Sequence, residues 1–154
     1  MATMASCGPS ELFDPIRKLW VAATPEEQVR QQWLSAMIGE LGFPPALIAV
    51  EKRLCELPHV RGSVPDRRID IACFAPGIHP EHPLYPLLLI ECKAEAPTSA
   101  AVEQALGYNR HVQACFVAIA GGPEIRVSYF DAAHKRDVTL HFLPAYAQLI
   151  ASLK

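Results

Sequence analysis

The segment that most constrains this chain is residues 86–94, Pro-Leu-Leu-Leu-Ile-Glu-Cys-Lys-Ala. Consecutive apolar residues leave neither parity of a strand suited to water. The segment therefore predicts a strand central to a sheet, covered on both faces. That cover has to fail at its end, where Glu91 and Lys93 share one face and Cys92 turns to the other.

The covering helices are announced on either side. Thr24-Pro25-Glu26-Glu27 reads as an N-cap, a proline at the first helical position, and a glutamate able to close a capping box. Val29, Trp33, Leu34, Met37, Ile38 and Leu41 then recur at helical spacing until Gly42 and Pro44-Pro45 end the helix. Residues 47–54 predict a strand. Residues 67–74 predict another, with Ile69, Ile71 and Cys73 on one face and Arg68, Asp70 and Ala72 on the other. A polar loop at 56–66 separates the two, and a proline-bearing loop at 76–86 leads into the central strand, 87–94. Thr98 or Ser99 can cap a second helix running to about Val112, followed by a buried strand at 114–120 that ends at Gly121-Gly122. Residues 125–130 and 138–142 predict paired strands about a turn at 132–136, and 145–153 a short closing helix. The order is α-β-β-β-α-β plus C-terminal β strands and a short helix. This is an α/β fold in which three strands form an antiparallel meander and the crossover helix sets the next strand parallel.

At 154 residues and 51% apolar, the chain can fill one domain with its own core. We expect a single domain over 1–154, with a core at about 17–122 and an extension at 123–154. No apolar run approaches a membrane span, and residues 1–10 lack the flank and apolar stretch of a signal peptide, so a cytoplasmic location without membrane partners is expected. The five cysteines, Cys7, Cys55, Cys73, Cys92 and Cys115, include no CxxC pair, which argues against a disulfide framework or a zinc knuckle. Cys73, Cys92 and Cys115 read as small buried hydrophobes. His79 and His82 invite a zinc reading, but no further ligands accompany them at suitable spacing, and a proline-rich surface loop is expected. A formal net charge of −2 does not by itself point to nucleic acid, although Arg61, Arg67 and Arg68, and separately Arg17, Lys18 and Arg30, make local basic clusters.

Glu91 and Lys93 taken alone are explained as well by a solvated strand end with a salt bridge. Asp70, on the preceding strand, adds a second carboxylate that can converge on the first. Two such groups repel unless a cation or a proton lies between them. Mg²⁺ accepts oxygen ligands from one or two carboxylates and keeps several waters. Lys93 then stands where it can stabilise charge on a phosphate or help deprotonate the attacking water, as phosphodiester hydrolysis requires. No Ser–His–Asp or Cys–His pairing and no glycine-rich phosphate loop is apparent, which disfavours nucleophilic catalysis.

An aspartate followed by Glu-x-Lys after a hydrophobic strand resembles the PD-(D/E)xK nuclease superfamily. The ordered strings resemble one branch of it, the N-terminal nuclease domain of type I restriction endonuclease motor subunits and its stand-alone relatives. They are Arg17-Lys18-Leu19-Trp20-Val21, Thr24-Pro25-Glu26-Glu27-Gln28-Val29-Arg30-Gln31, Ile48-Ala49-Val50-Glu51-Lys52, Arg67-Arg68-Ile69-Asp70-Ile71, Leu88-Leu89-Ile90-Glu91-Cys92-Lys93-Ala94, and Gln104 with Tyr108-Asn109. The chain departs from that branch at Ala120-Gly121-Gly122, where a Thr-Asn-Gly-like turn is usual, and no helicase motor follows, so a detached module is expected.

The resemblance implies a restriction-endonuclease-like core, a mixed central sheet flanked by helices. It implies a Mg²⁺- or Mn²⁺-dependent endonuclease acting on DNA in preference to RNA, of restriction or DNA-processing type. The alternative is a non-catalytic nucleic-acid-binding or scaffold module that keeps the fold. Asp70, Glu91 and the backbone carbonyl of Cys92 would be metal ligands, with Lys93 the catalytic lysine and Gln104 a further catalytic residue. Tyr108 shares the Gln104 face and, with Arg30 and Arg68, would meet nucleic acid; an ordinary half-buried helix face is the other reading of Gln104 and Tyr108. Glu27 matches an acidic residue that reaches the metal through water, against its capping-box role, with Glu26 a second choice. Pro65-Asp66 spells the motif's first letters, but Asp66 precedes the strand and Asp70 fits the Arg-x-Asp string. Glu51 has no special role in this reading. A homodimer or a partner subunit is expected, because one site per chain cuts one strand.

Overall fold

The computed structural model describes residues 10–154. The expected lack of a leader and the Cys7 thiol fall almost wholly or wholly outside the described residues. An antiparallel hairpin comes first, β1 (Glu11–Asp14) pairing with β2 (Leu19–Ala22). The sequence reading missed it, because strands of 4 residues are too short to display a period. Its turn is built by Asp14, whose Oδ1 accepts from the N–H groups of Ile16 and Arg17, and by Lys18 at a φ of 57°.

Helix α1 (Pro25–Gly39) starts as expected, with Thr24 Oγ1 accepting from the Glu27 N–H. The expected capping box does not close. The Glu27 carboxylate is drawn instead to the Arg17 guanidinium, a full charge in place of a backbone amide, and to the Gln31 side-chain amide. The helix also stops at Gly39, short of Gly42, which lies in the following loop at a φ of 70°.

Six strands then form one mixed sheet in chain order: β3 (Ile48–Arg53), β4 (Arg68–Pro76), β5 (Leu84–Lys93), β6 (Phe116–Gly121), β7 (Glu124–Asp131) and β8 (Arg136–Leu140). Neighbours are antiparallel except β5 and β6, which α2 (Ser99–Val112) joins as a parallel crossover. Leu88, Ile90 and Cys92 of β5 pack with Leu34 and Met37 of α1 and Leu149 of α3 (Tyr146–Ser152). Leu89, of opposite parity, packs with Ala105, Tyr108 and Val112 of α2. The strand is thus covered on both faces, and each such buried leucine or isoleucine contributes about 2 kcal/mol. β5 begins earlier than expected, at Leu84. It takes in Pro86, which lacks an N–H, at the place where the register with β4 shifts between Cys73 and Phe74.

Two local breaks shape the end of β5. The alternation expected for β4 fails at Asp70: Ile71 and Cys73 pack on the α1 side, whereas Ile69 packs with Leu54 and Leu57 on the α2 side. Facing this reversal, the β3–β4 register runs from Val50↔Ile71 to Lys52↔Ile69, and the intervening Glu51 has a φ of 58°. Beyond β5, Gly121 permits a close approach, since a Cβ there would stand 1.8 Å from the Glu95 carbonyl oxygen. Gly121 thereby lets the segment after Lys93 lie against the end of β6, and the Trp33 indole donates to the Gly122 carbonyl at 3.0 Å. Among the described residues no helix is long and apolar enough to cross a membrane.

Candidate functional site

The β4–β5 ladder ends at Ile71↔Ile90, and past it the Cys92 N–H donates to Asp70 Oδ2 at 2.8 Å. The reversal of β4 therefore sets Asp70 at the open end of the central strand. Its other oxygen lies 3.4 Å from Nη2 of Arg30 on α1. The Arg30 side chain is only 7% exposed, and it also binds Glu51 and approaches Glu27 at 3.4 Å. Glu27 is held in turn by Arg17 and Gln31, each at 3.0 Å, and Arg17 by the buried Asp14 at 2.8 Å. Burial pulls the Asp14 carboxyl upward, but hydrogen bonds from Arg17, Gln31 and Ile16 outweigh it and leave the group below the ordinary carboxylate range. A continuous run of ion pairs thus ties the opening hairpin to Asp70.

Glu91, on the α2 side, is bound by different residues. Its Oε1 accepts from Arg67 Nη2 at 3.0 Å, and its Oε2 lies 3.8 Å from the Lys93 ammonium. The Arg67 guanidinium stands 4.3 Å from the centroid of the Tyr108 ring. Gln104 and Tyr108, one turn apart on α2, line a small cleft together with Arg67, Glu91 and Lys93. The Tyr108 hydroxyl is buried there without a hydrogen-bond partner. Burial, helped by the Glu91 charge, pushes it up to about 12.

The carboxyls of Asp70 and Glu91 both lie above their ordinary range. Burial is the main cause in each. For Asp70 it is opposed by the Cys92 N–H, Arg30 and Lys93 and helped by the Glu51 charge; for Glu91 it is opposed by Arg67 and Lys93 and helped by the Asp70 charge. Among the described residues no group of three or more His, Cys, Asp or Glu is arranged to hold a metal. A pair of hard oxygen ligands whose ionised forms are disfavoured by burial, with a partnerless buried hydroxyl beside it, nevertheless suits an ion such as Mg²⁺, which needs only one or two carboxylates.

The structure thus brings Asp70, Glu91, Lys93, Gln104 and Tyr108 to one end of β5, with the Cys92 backbone between the carboxylates. Glu27 lies one ion pair further in, behind Arg30. Arg30 itself, expected to meet nucleic acid, is buried inside the carboxylate network and paired with Glu27, Glu51 and Asp70. Arg68 is 62% exposed and lies 3.7 Å from Glu51. Two residues escaped the sequence reading. Glu51, given no role, anchors Arg30, and only its φ of 58° aims it there. Arg67 entered only in a basic cluster and in the string Arg67-Arg68-Ile69-Asp70-Ile71, with no role of its own, although its doubling with Arg68 just before Asp70 was the available signal. Asp66 pairs with Arg53 and is 86% exposed, away from this group. His79 and His82 do lie in a loop, where His59 and Tyr85 join them at the opposite end of β5, the His79 and His82 rings 4.8 Å apart.

A family model described as the type I restriction enzyme R protein N terminus matches residues 25–144. No curated protein and no solved structure matches the chain. The matched residues take in α1, α2 and every strand of the central sheet, and with them each side chain of the group at the end of β5. The chain belongs to the family of type I restriction enzyme R protein N termini.

Proposed function

We propose that this domain is a Mg²⁺- or Mn²⁺-dependent nuclease that hydrolyses DNA phosphodiesters. The observation that carries the reading is the convergence of Asp70, Glu91 and Lys93 at the uncovered end of the central strand. Asp70 and Glu91, with the Cys92 carbonyl, would hold the ion. When bound, it supplies positive charge at the scissile phosphate and a more acidic attacking water.

The rest falls to the chain's own groups. Arg30 fixes one oxygen of Asp70 and the Cys92 N–H fixes the other, so the carboxylate is preset. Lys93, 45% exposed and loosely held at 3.8 Å, can donate to a phosphate oxygen or, once it has given up its own proton, take one from water. Gln104 and Tyr108 add neutral donors from α2 on the cleft side. Arg68 and Arg67 give the mouth a basic rim despite the net charge of −2. A dimer or a partner subunit would supply the second strand cut.

A scaffold that binds nucleic acid without cutting it is the second reading, favoured by one observation: each carboxylate already has an arginine at 3.4 Å or less. Plasmid cleavage by the purified chain with Mg²⁺ or Mn²⁺, beside Lys93→Ala and Asp70→Asn, separates the two. Metal-dependent cleavage lost in both variants is the expected result. No cleavage, with Mn²⁺ binding that is absent or equal in wild type and Asp70→Asn, would leave the scaffold.

A further inference from the structure

We propose that Arg67 is an exchangeable cation, which neutralises Glu91 in the absence of a divalent ion and passes to a nucleic-acid phosphate when an ion takes over that carboxylate. The inference rests on the nuclease reading and adds to it a residue that binds substrate only after the ion has bound.

The geometry points to exchange in three ways. First, the Arg67 side chain is 38% exposed while the Glu91 side chain beneath it is 10% exposed, so the guanidinium caps the cleft from its solvent side. Second, the backbone is anchored and the side chain is not. The Arg67 carbonyl accepts from the Leu54 N–H at 3.1 Å and its N–H donates to the Pro65 carbonyl at 2.9 Å. The bond to Glu91 uses Nη2 alone. The guanidinium can therefore turn away from Glu91 across the Tyr108 ring, which keeps its stacking while its bonding partner changes.

Third, the charges balance only without an ion. Around the cleft the two carboxylates Asp70 and Glu91 are equalled in number by the cations Arg67 and Lys93; both cations pair with Glu91, and Asp70 pairs with Arg30, which Glu27 and Glu51 share. A divalent ion on the two carboxylates makes the cleft strongly positive and removes the attraction that holds Arg67 to Glu91. The planar fork then meets the group it fits best, a phosphate, which it can bind through two parallel N–H groups. Arg30 cannot follow the same course, because it is buried among three carboxylates.

The test is a linkage measurement on the full chain. Affinity for a short DNA duplex is measured by fluorescence anisotropy with and without Ca²⁺, a hard ion that takes the same oxygen ligands. In parallel, Mn²⁺ affinity without DNA is measured by calorimetry. For the wild type, Ca²⁺ is expected to strengthen DNA binding about five- to tenfold. In Arg67→Met that gain should vanish, the salt dependence with Ca²⁺ should fall by about one unit of slope, and Mn²⁺ alone should bind more tightly. Equal weakening of DNA binding with and without Ca²⁺, or weaker Mn²⁺ binding, would assign Arg67 a merely structural part and overturn the proposal. Should Arg67→Met lose its far-UV circular dichroism, Arg67→Gln carries the same comparison with the same two outcomes. A wild type that cleaves DNA while Arg67→Met keeps the full Ca²⁺ gain overturns this inference alone. A wild type that binds neither Mn²⁺ nor DNA overturns the nuclease reading, and this inference with it.

Discussion

Asp70 and Glu91 each meet an arginine, but the two arginines stand in different surroundings. Arg30 is 7% exposed and shared among Glu27, Glu51 and Asp70 inside a network that reaches back to Asp14. Arg67 is 38% exposed, bonded to Glu91 through one nitrogen and laid across an aromatic ring. The same side chain is a structural counter-ion on one flank and a surface cation on the other. Burial makes the difference, because it sets how much is lost when a partner leaves. The fixed flank presets the site, and the open flank is free to answer to substrate.

The comparison breaks most severely at Arg30. In Arg30→Met three carboxylates lose their shared cation, each with less than a third of its side chain exposed. Unfolding free energy in urea should fall by about 3 kcal/mol or more. The melting temperature should fall with it by roughly ten degrees. A loss under about 1 kcal/mol would mean that water already screens this flank.

Arg67→Met gives the contrasting measurement in the same titration. A half-exposed pair with one cation–π contact contributes only about 1 kcal/mol. If both arginine variants lost the same stability, the distinction between fixed and open flanks would fail.

The carboxylates themselves sharpen the comparison through pH. Asp70 and Glu91 hold their protons to higher pH in the folded chain than in the unfolded one, so the folded state binds more protons just above the ordinary carboxylate range. Their contribution therefore declines as pH rises through that window. Asp14 works in the opposite sense: its lowered value gives stability that is present above the ordinary range and lost as pH falls through it. The stability of Asp70→Asn relative to wild type should accordingly improve as pH rises from the ordinary carboxylate range, about pH 4, towards neutrality. Saturating Mg²⁺ should reverse that trend, adding about 2.7 kcal/mol to the wild type alone at a hundredfold excess over Kd. Parallel pH curves for the two proteins would show that Asp70 is not strained by burial.

Much of this arrangement was legible in the sequence, and the illegible parts share a cause. The central strand, the crossover helix and the Glu91–Lys93 face follow from parity and from apolar runs, which are local properties. The grouping of Asp70 with Glu91 followed from strand order. What period two could not show is the reversal at Asp70, since it depends on Glu51 adopting a left-handed backbone that its own neighbours do not call for. The burial of Arg30 was hidden for a related reason. Position 30 lies on the helix face beside Glu27, and only the fold reveals that three carboxylates from α1, β3 and β4 gather around it. The opening hairpin was hidden by shortness alone.

Tyr108→Phe is expected to change stability least, and it tests on which flank that residue belongs. Its hydroxyl is buried with no partner, so deleting it removes a desolvation cost and no hydrogen bond. The phenyl ring that remains still offers a face to Arg67, so the stacking survives. Unfolding free energy should stay within about 0.5 kcal/mol of wild type. DNA cleavage should nevertheless fall by roughly three- to tenfold, the value of one neutral hydrogen bond to bound substrate. That pairing of results would place the hydroxyl with Arg67 and Lys93 as a group that finds its partner only in the complex. A stability loss above about 1 kcal/mol with cleavage per folded molecule unchanged would mean that the hydroxyl has a partner within the free protein. Tyr108 would then belong with Arg30, as part of the flank that is already complete before substrate arrives.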